Sequence, residues 1–222
     1  PSQVRIPASG TGFLRVNKDG THLLADQRVW DLTTGVPVTR RLQILSHAAA
    51  DFSPNSQQLL VASGRHLDFW NWPASSRCSP SLLMPDAVVD VAYCPNGKEA
   101  VVACANGKIL KVDTQTGVER WQLMQGELRG QFPMARFLRI SSDGERFVVL
   151  GGSPWLQKET IQVRDMQNGR VLHEVNCLNN INDVRFSHDG EWLVVASFSG
   201  RARIFDVVSG QEAVDPLEHP DW

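Results

Sequence analysis

Val184-Arg185-Phe186-Ser187-His188-Asp189-Gly190, followed by Trp192-Leu193-Val194-Val195-Ala196 and then Ala202-Arg203-Ile204-Phe205-Asp206, decides the fold of this chain. Asp-Gly between two short apolar runs is a hairpin cue, because a tight primed turn needs positive φ at residues that tolerate it. The last run alternates polar and apolar residues with the period of a strand. Four residues beyond Asp206 stands Gly210, and an Asp-x-x-x-Gly phrase turns the chain once more, into a fourth strand. The stretch therefore reads as four short strands.

Working outward, the same signature recurs as Asn17-Lys18-Asp19-Gly20, Ser53-Pro54-Asn55-Ser56, Cys94-Pro95-Asn96-Gly97 and Ser141-Ser142-Asp143-Gly144. Counting the fifth at Gly190, the last positions lie 36, 41, 47 and 46 residues apart. A second marker follows each turn: Trp30-Asp31, Trp70-Asn71, Val112-Asp113, Arg164-Asp165 and Phe205-Asp206. In four of the five a glycine arrives four residues later, at Gly35, Gly117, Gly169 and Gly210. Fourth strands are expected over 118–123 and 170–175. No segment places apolar residues at i, i+3, i+4 and i+7 over a dozen positions, so almost no helix is predicted.

Four strands per unit at a period near 42, repeated radially, is the arithmetic of a β-propeller. Runs such as Ala100-Val101-Val102-Ala103 are apolar on nearly every residue, which suits sheets covered on both faces. The expectation is an all-β chain, one β-propeller domain over 1–222 built of four-stranded antiparallel blades. Its five repeat units span about 11–45, 46–86, 87–128, 129–178 and 179–219. The first unit is short, with 11 residues from Gly20 to Asp31 against 16 from Gly97 to Asp113. The tail at 217–222 reads like the lead into another blade. Both features favour an arc of a larger, seven-bladed ring over a closed five-bladed one. An arc would expose two apolar sheet faces, which predicts association or instability.

Composition excludes several classes. The chain has 222 residues, 42% of them hydrophobic, with 22 Lys+Arg against 24 Asp+Glu. There is no basic excess to neutralise phosphates, so nucleic acid is not an expected partner. No apolar run approaches the roughly 18 residues of a membrane helix. Cys78, Cys94, Cys104 and Cys177 form no C-x-x-C pair and read as free thiols of a reducing compartment, which places the chain in the cytoplasm. Cys94 and Cys104 fall on adjacent strands of one hairpin but out of register for a disulfide. The chain opens at Pro1 without a Met, which leaves room for an upstream domain or a lost leader.

Catalytic and ligand motifs are missing. Gly151-Gly152-Ser153-Pro154-Trp155 lacks the second glycine of a nucleophile elbow and runs from a strand into a loop. The six histidines show no metal-ligand spacing. Gly97-Lys98 and Gly107-Lys108 lack the remainder of a phosphate loop, and Asp113 to Gly117 has no acid at the twelfth position of a calcium loop. The expectation is no catalytic residue, no cofactor and no metal, hence not an enzyme.

The residues also carry a resemblance. Val184 to Gly190 through Ile204-Phe205-Asp206, and Trp30-Asp31 followed by Thr33-Thr34-Gly35, resemble the WD-repeat family, over essentially the whole chain as five degenerate repeats. The likeness extends to bacterial WD-repeat chains in which a unit runs through a proline to a histidine, as in Val214-Asp215-Pro216-Leu217-Glu218-His219. Such repeats often sit C-terminal to a serine/threonine kinase domain. The full Trp-Asp pair survives only at Trp30-Asp31, so the family's buried His–Ser–Trp–Asp network is mostly absent. Val112-Asp113 to Gly117 and on to Trp121 is similar to a phrase of quinoprotein propellers, whose tryptophan docks neighbouring blades.

The resemblance implies a non-catalytic scaffold for protein or peptide partners, with other propeller blades of the same parent chain as a second class of partner. The alternatives it implies are a regulatory propeller of a bacterial kinase and a quinoprotein-like cofactor propeller. The family binds through the rim that holds the loops before the first strand and between the second and third strands. Carried over by position, residues just ahead of the first strands are Phe13, Ala49, Asp90, Phe137 and Asp183, with Thr11, His47, Val88, Ala135 and Ile181 two earlier. Asp90, Asp183 and His47 are the polar candidates; Phe13, Phe137 and Val88 are expected in the core. One loop is longer than the rest, with 21 residues from Gly144 to Asp165 against 16 from Gly190 to Asp206. The extra stretch is Pro154 to Glu159. Inserted loops on a rigid repeat tend to carry function, so Trp155, Leu156 and Lys158 are expected to form a contact on that rim.

Overall fold

In the computed structural model each turn signature closes one corner of a sheet. The structure describes residues 14–42, 49–74, 76–78, 81–124, 135–153, 158–176 and 181–218, and none of these is helical. The first sheet holds β1 (Arg15–Val16), β2 (His22–Ala25) and β3 (Arg28–Asp31). The second holds β4 (Ala49–Phe52), β5 (Gln58–Ser63), β6 (His66–Asn71), β7 (Ser76–Arg77) and β8 (Leu82–Leu83). The third runs β9 (Val88–Tyr93), β10 (Glu99–Cys104), β11 (Lys108–Asp113) and β12 (Glu119–Met124). The fourth comprises β13 (Ala135–Ile140), β14 (Arg146–Ser153), β15 (Lys158–Asp165) and β16 (Val171–Asn176). The fifth comprises β17 (Ile181–Phe186), β18 (Trp192–Ser197), β19 (Arg201–Asp206) and β20 (Leu217–Glu218).

Strands consecutive in sequence pair within each sheet, except that β8 returns to β6, and the ladders are antiparallel. Three quartets depart from the plan. In the first and the fifth an isolated bridge, Trp30 with Pro37 and Phe205 with Glu212, stands where the fourth strand would begin, and the fifth goes on to the two-residue β20. In the second sheet that strand is broken in two: β7 pairs with Trp70 and Asn71, and β8 with His66 and Leu67.

The first turn of each quartet is not the two-residue primed turn its Asp-Gly suggested. Gly20, Ser56, Gly97, Gly144 and Gly190 each donate N–H to the carbonyl three residues back, at 2.8 to 3.1 Å, and each has positive φ. The residue before it supplies the fastening. Asp19, Asn55, Asn96, Asp143 and Asp189 accept the N–H of Thr21, Gln57, Lys98, Glu145 and Glu191. A short polar side chain thus fixes its own backbone two residues on, and a longer corner needs positive φ at one place only. Two-residue turns lie elsewhere: between β2 and β3, where Asp26 and Gln27 hold φ of 48° and 62°, and between β5 and β6, at Gly64 and Arg65.

The second turn works similarly. Asp31, Asp113, Asp165 and Asp206 accept two successive N–H groups through Oδ1, and the glycine four residues on donates to the aspartate carbonyl at 2.8 to 2.9 Å. Those donors hold the Asp31, Asp113 and Asp206 carboxyls below the usual carboxylate range.

The chain divides into two compact units, residues 1–102 with 111–120 and residues 103–110 with 121–222. Within the first, Leu24, Val29 and Leu42 of the first quartet pack on Ala50, Phe52, Leu59, Val61, Trp70 and Trp72 of the second. Within the second, Val148, Leu150, Ile161, Val163 and Val175 of the fourth sheet pack on Val184, Leu193, Val195 and Phe205 of the fifth. Middle strands covered on both sides read as unbroken apolar runs, and β5 and β10 are buried over four and five consecutive residues. Cys94 and Cys104 are buried and Cys78 is exposed.

A third device joins quartets. A Cβ at Gly117 would stand 2.6 Å from Leu82 of β8, and one at Gly210 2.7 Å from His173 of β16; Leu123 of β12 crowds Gly169 in the same way. Each turn glycine is a socket for a side chain on the last strand of the preceding quartet.

Candidate functional site

In a four-stranded meander the start of the first strand and the turn between the second and third strands lie at one end of the sheet. That end is the rim the candidates were placed on. In the second sheet it is laced tightly: Val88 N–H donates to the Gly64 carbonyl, Met84 N–H to that of Arg65, and Arg65 Nε to that of Met84 at 3.0 Å. In the first sheet Gln27 Oε1 accepts from Arg41 Nε at 3.1 Å, and the other Arg41 nitrogen lies 3.9 Å from Asp26. Two non-glycine residues at positive φ held by one arginine make this the most strained corner among the described residues. At the same end of the fifth sheet, between β18 and β19, Phe198 stands 69% exposed beside a Ser197–Ser199 hydroxyl contact of 2.6 Å.

The first strands carry a second set of charges. Arg15 on β1 reaches Asp90 on β9 at 3.3 Å. Between them in sequence, Asp51 on β4 accepts the Tyr93 N–H at 2.8 Å. Burial pushes the Asp51 carboxyl up to about 6, and the neighbouring Asp90 charge adds to this; the Tyr93 N–H and Arg15 oppose it. Two carboxyls and one guanidinium leave this group acidic. In the other unit Asp183 on β17 is shared by Arg139 of β13 at 3.2 Å and Arg185 at 2.9 Å, so that group is basic.

Of the sequence candidates, Asp90 and Asp183 thus sit within strands rather than ahead of them, as do Val88, Phe137 and Ile181. Asp90 is buried and Asp183 partly exposed. Lys158 belongs to the backbone of β15, paired with Ser153, so the extra residues lengthen the fourth hairpin to eight residues per strand instead of six and leave only 154–157 between the strands. Trp155, Leu156 and His47 lie outside the described residues, as do Phe13 and Thr11. Arg15, Asp51, Arg139 and Arg185 escaped the sequence reading. All four stand five positions before the end of a turn signature, and that recurrence was the available signal.

Trp121 stacks on Phe147 at 5.7 Å and donates to the Met166 carbonyl at 3.3 Å, a structural use that joins the end of one quartet to the next. Among the described residues no three His, Cys, Asp or Glu gather to hold a metal ion, and no helix is long and apolar enough to cross a membrane.

Residues 169–206 match the profile described as WD domain, G-beta repeat. No curated protein matches the sequence. Among solved structures, hydrazine synthase from Kuenenia stuttgartiensis is 18% identical and superposes with a TM-score of 0.78, covering 98% of this chain and 68% of that one. The β-propeller domain of Cps50 (Swd1) from Myceliophteria thermophila is also 18% identical, with a TM-score of 0.73, covering 100% of this chain and 70% of that one. At this identity the likeness is one of fold: five antiparallel quartets arranged as propeller blades.

Proposed function

We propose that this β-propeller, in which residues 169–206 match the WD domain, G-beta repeat profile, is a non-catalytic platform that binds a protein or peptide at the β18–β19 turn of the fifth sheet. The observation that carries this reading is the exposure of Phe198 on a corner whose backbone is already fixed. Ser197 Oγ, hydrogen-bonded to the Arg201 carbonyl at 3.1 Å, ties that corner down, so a partner would meet an aromatic anchor without first ordering a loop.

The test is selection of an immobilised 222-residue chain against a library of random 12-residue peptides, with titration calorimetry on the enriched sequences. Saturable binding is expected, weakened at least tenfold by Phe198→Ala while the circular dichroism spectrum is unchanged. Enriched peptides that bind this variant as tightly as the parent would overturn the assignment to this corner. A selection that yields no saturable binder would overturn the platform reading itself.

A further inference from the structure

The second and fifth sheets hold the same ion pair with its charges exchanged, and only the pair in the fifth is complete. There Arg203 stands two residues before Phe205 on β19, and Glu212 bridges to Phe205. The Arg203 guanidinium lies 5.1 Å from the centre of the Phe205 ring, and its Nε and Nη2 each donate to one Glu212 oxygen. In the second sheet Asp68 stands two residues before Trp70 on β6, and Arg77 of β7 pairs with Trp70. The Arg77 guanidinium lies 5.3 Å from the centre of the Trp70 ring. Its Nη2 is 3.4 Å from Asp68 Oδ2, whereas Oδ1 is buried and accepts from nothing.

A buried carboxylate oxygen without a donor is costly, and a partner that engages both oxygens removes the cost. Asp68 is 5% exposed and, two residues from Trp70 on one strand, shares its face of the sheet, beside Val61 and Leu59 of β5. A desolvated acid next to an aromatic ring suits a planar cation. A guanidinium stacks on the ring and offers parallel N–H groups to both carboxylate oxygens, which a compact ammonium does not. Arg77 meets that demand only in part. Its side chain is half exposed, and it comes from a two-residue strand of which both residues are exposed, so its release disturbs little packing.

We propose that Asp68 and Trp70 form a receptor for the guanidinium of an arginine side chain on a peptide partner, with Arg77 as the occupant in the free chain. The incoming arginine displaces Arg77 toward solvent, stacks on Trp70 and closes its fork on both Asp68 oxygens. All three residues belong to the first compact unit. The site does not use Phe198, so its failure would leave the reading of the β18–β19 corner untouched.

The probe is Nα-acetyl-arginine methylamide, titrated into the isotope-labelled whole chain over about 0.1 to 200 mM, which brackets a Kd in the millimolar range. The reporter is the indole N–H resonance of Trp70, which meets no acceptor and is assigned by its loss in Trp70→Phe. In Arg77→Ala this resonance should move saturably, and the corresponding lysine derivative should bind more weakly at equal charge. In the parent the same shift should need roughly tenfold more probe, because Arg77 competes from within the chain. Asp68→Asn added to Arg77→Ala should abolish saturation while the other indole resonances stay in place. No saturable shift in Arg77→Ala, equal binding of the arginine and lysine derivatives, or a shift that survives Asp68→Asn would each overturn the receptor. A parent resonance that never moves would show Arg77 to be a permanent occupant and overturn the exchange.

Discussion

Leu82 occupies the space that a side chain on Gly117 would need. An added Cβ would stand 2.6 Å from its nearest methyl carbon, at a residue whose φ is 72°. Both terms oppose any other residue. Gly20 has nearly the same φ, 73°, and nothing within 4 Å.

Gly20→Ala should therefore lose about 1 kcal/mol, the backbone term alone. Gly117→Ala should lose roughly 2 to 4 kcal/mol, since the junction between quartets must also shift. Urea unfolding of the two variants measures the difference; equal losses would show that Leu82 yields freely.

Asp51 imposes a pH dependence of unusual sign. Its folded carboxyl titrates at about 6, above the ordinary value of 3.8, so its protonated form is favoured by folding. The stability it contributes is complete below pH 4 and lost as pH rises toward 6, amounting to at most about 3 kcal/mol. The turn aspartates at 31, 113 and 206 act in the opposite sense and lower down: their depressed carboxyls lose stability as pH falls below 4. Stability should peak near pH 4 and decline to pH 6. Asp51→Asn keeps an acceptor for the Tyr93 N–H and should flatten that decline in denaturation midpoints taken at half-unit steps.

Arg164 occupies the place held by Trp30 and Trp70 in the first two sheets, and it is buried. Its guanidinium donates to Gln162 Oε1 at 2.6 and 3.2 Å and to the Gly169 carbonyl at 2.8 Å, while Gln162 in turn donates to Glu174 at 2.7 Å. Gln162→Leu leaves two buried guanidinium donors without their acceptor and should cost roughly 1.5 to 3 kcal/mol. The double variant with Arg164→Met removes the charge as well and should recover most of that loss. A double-mutant cycle in urea reads the coupling, and additive losses would refute it.

The tryptophans should respond unequally. Trp72 Nε1 donates to the Ser56 carbonyl at 2.8 Å, whereas the buried Nε1 of Trp70 meets no acceptor and Leu59 stands opposite it. Trp72→Phe should cost about 1 to 3 kcal/mol more than Trp70→Phe, because only the first leaves a carbonyl unpaired. Calorimetric midpoints of both variants decide it.

The quartets were legible because their corners are local. Asp189 or Asp206 fastens backbone within four residues of itself, so five turns and four Asp-x-x-x-Gly phrases mark the strands between them. What the sequence obscured depends on partners distant along the chain. Arg15 and Asp90 are 75 residues apart, and nothing at either position announces the other. The shortened last strand of the first quartet has no local mark in the sequence, since the fifth quartet narrows to the same kind of bridge at Glu212 without a proline. The extra residues at 154–159 suggested a longer loop, yet Ser153 and Lys158 pair, because extending a hairpin satisfies backbone groups that a loop would leave to solvent.

Corners that close on their own atoms have an evolutionary corollary. A duplicated or deleted stretch of about 42 codons carries its stop and start signals with it, so the tally of quartets can drift while each remains foldable. Selection then needs to act only on the surfaces where one quartet meets the next.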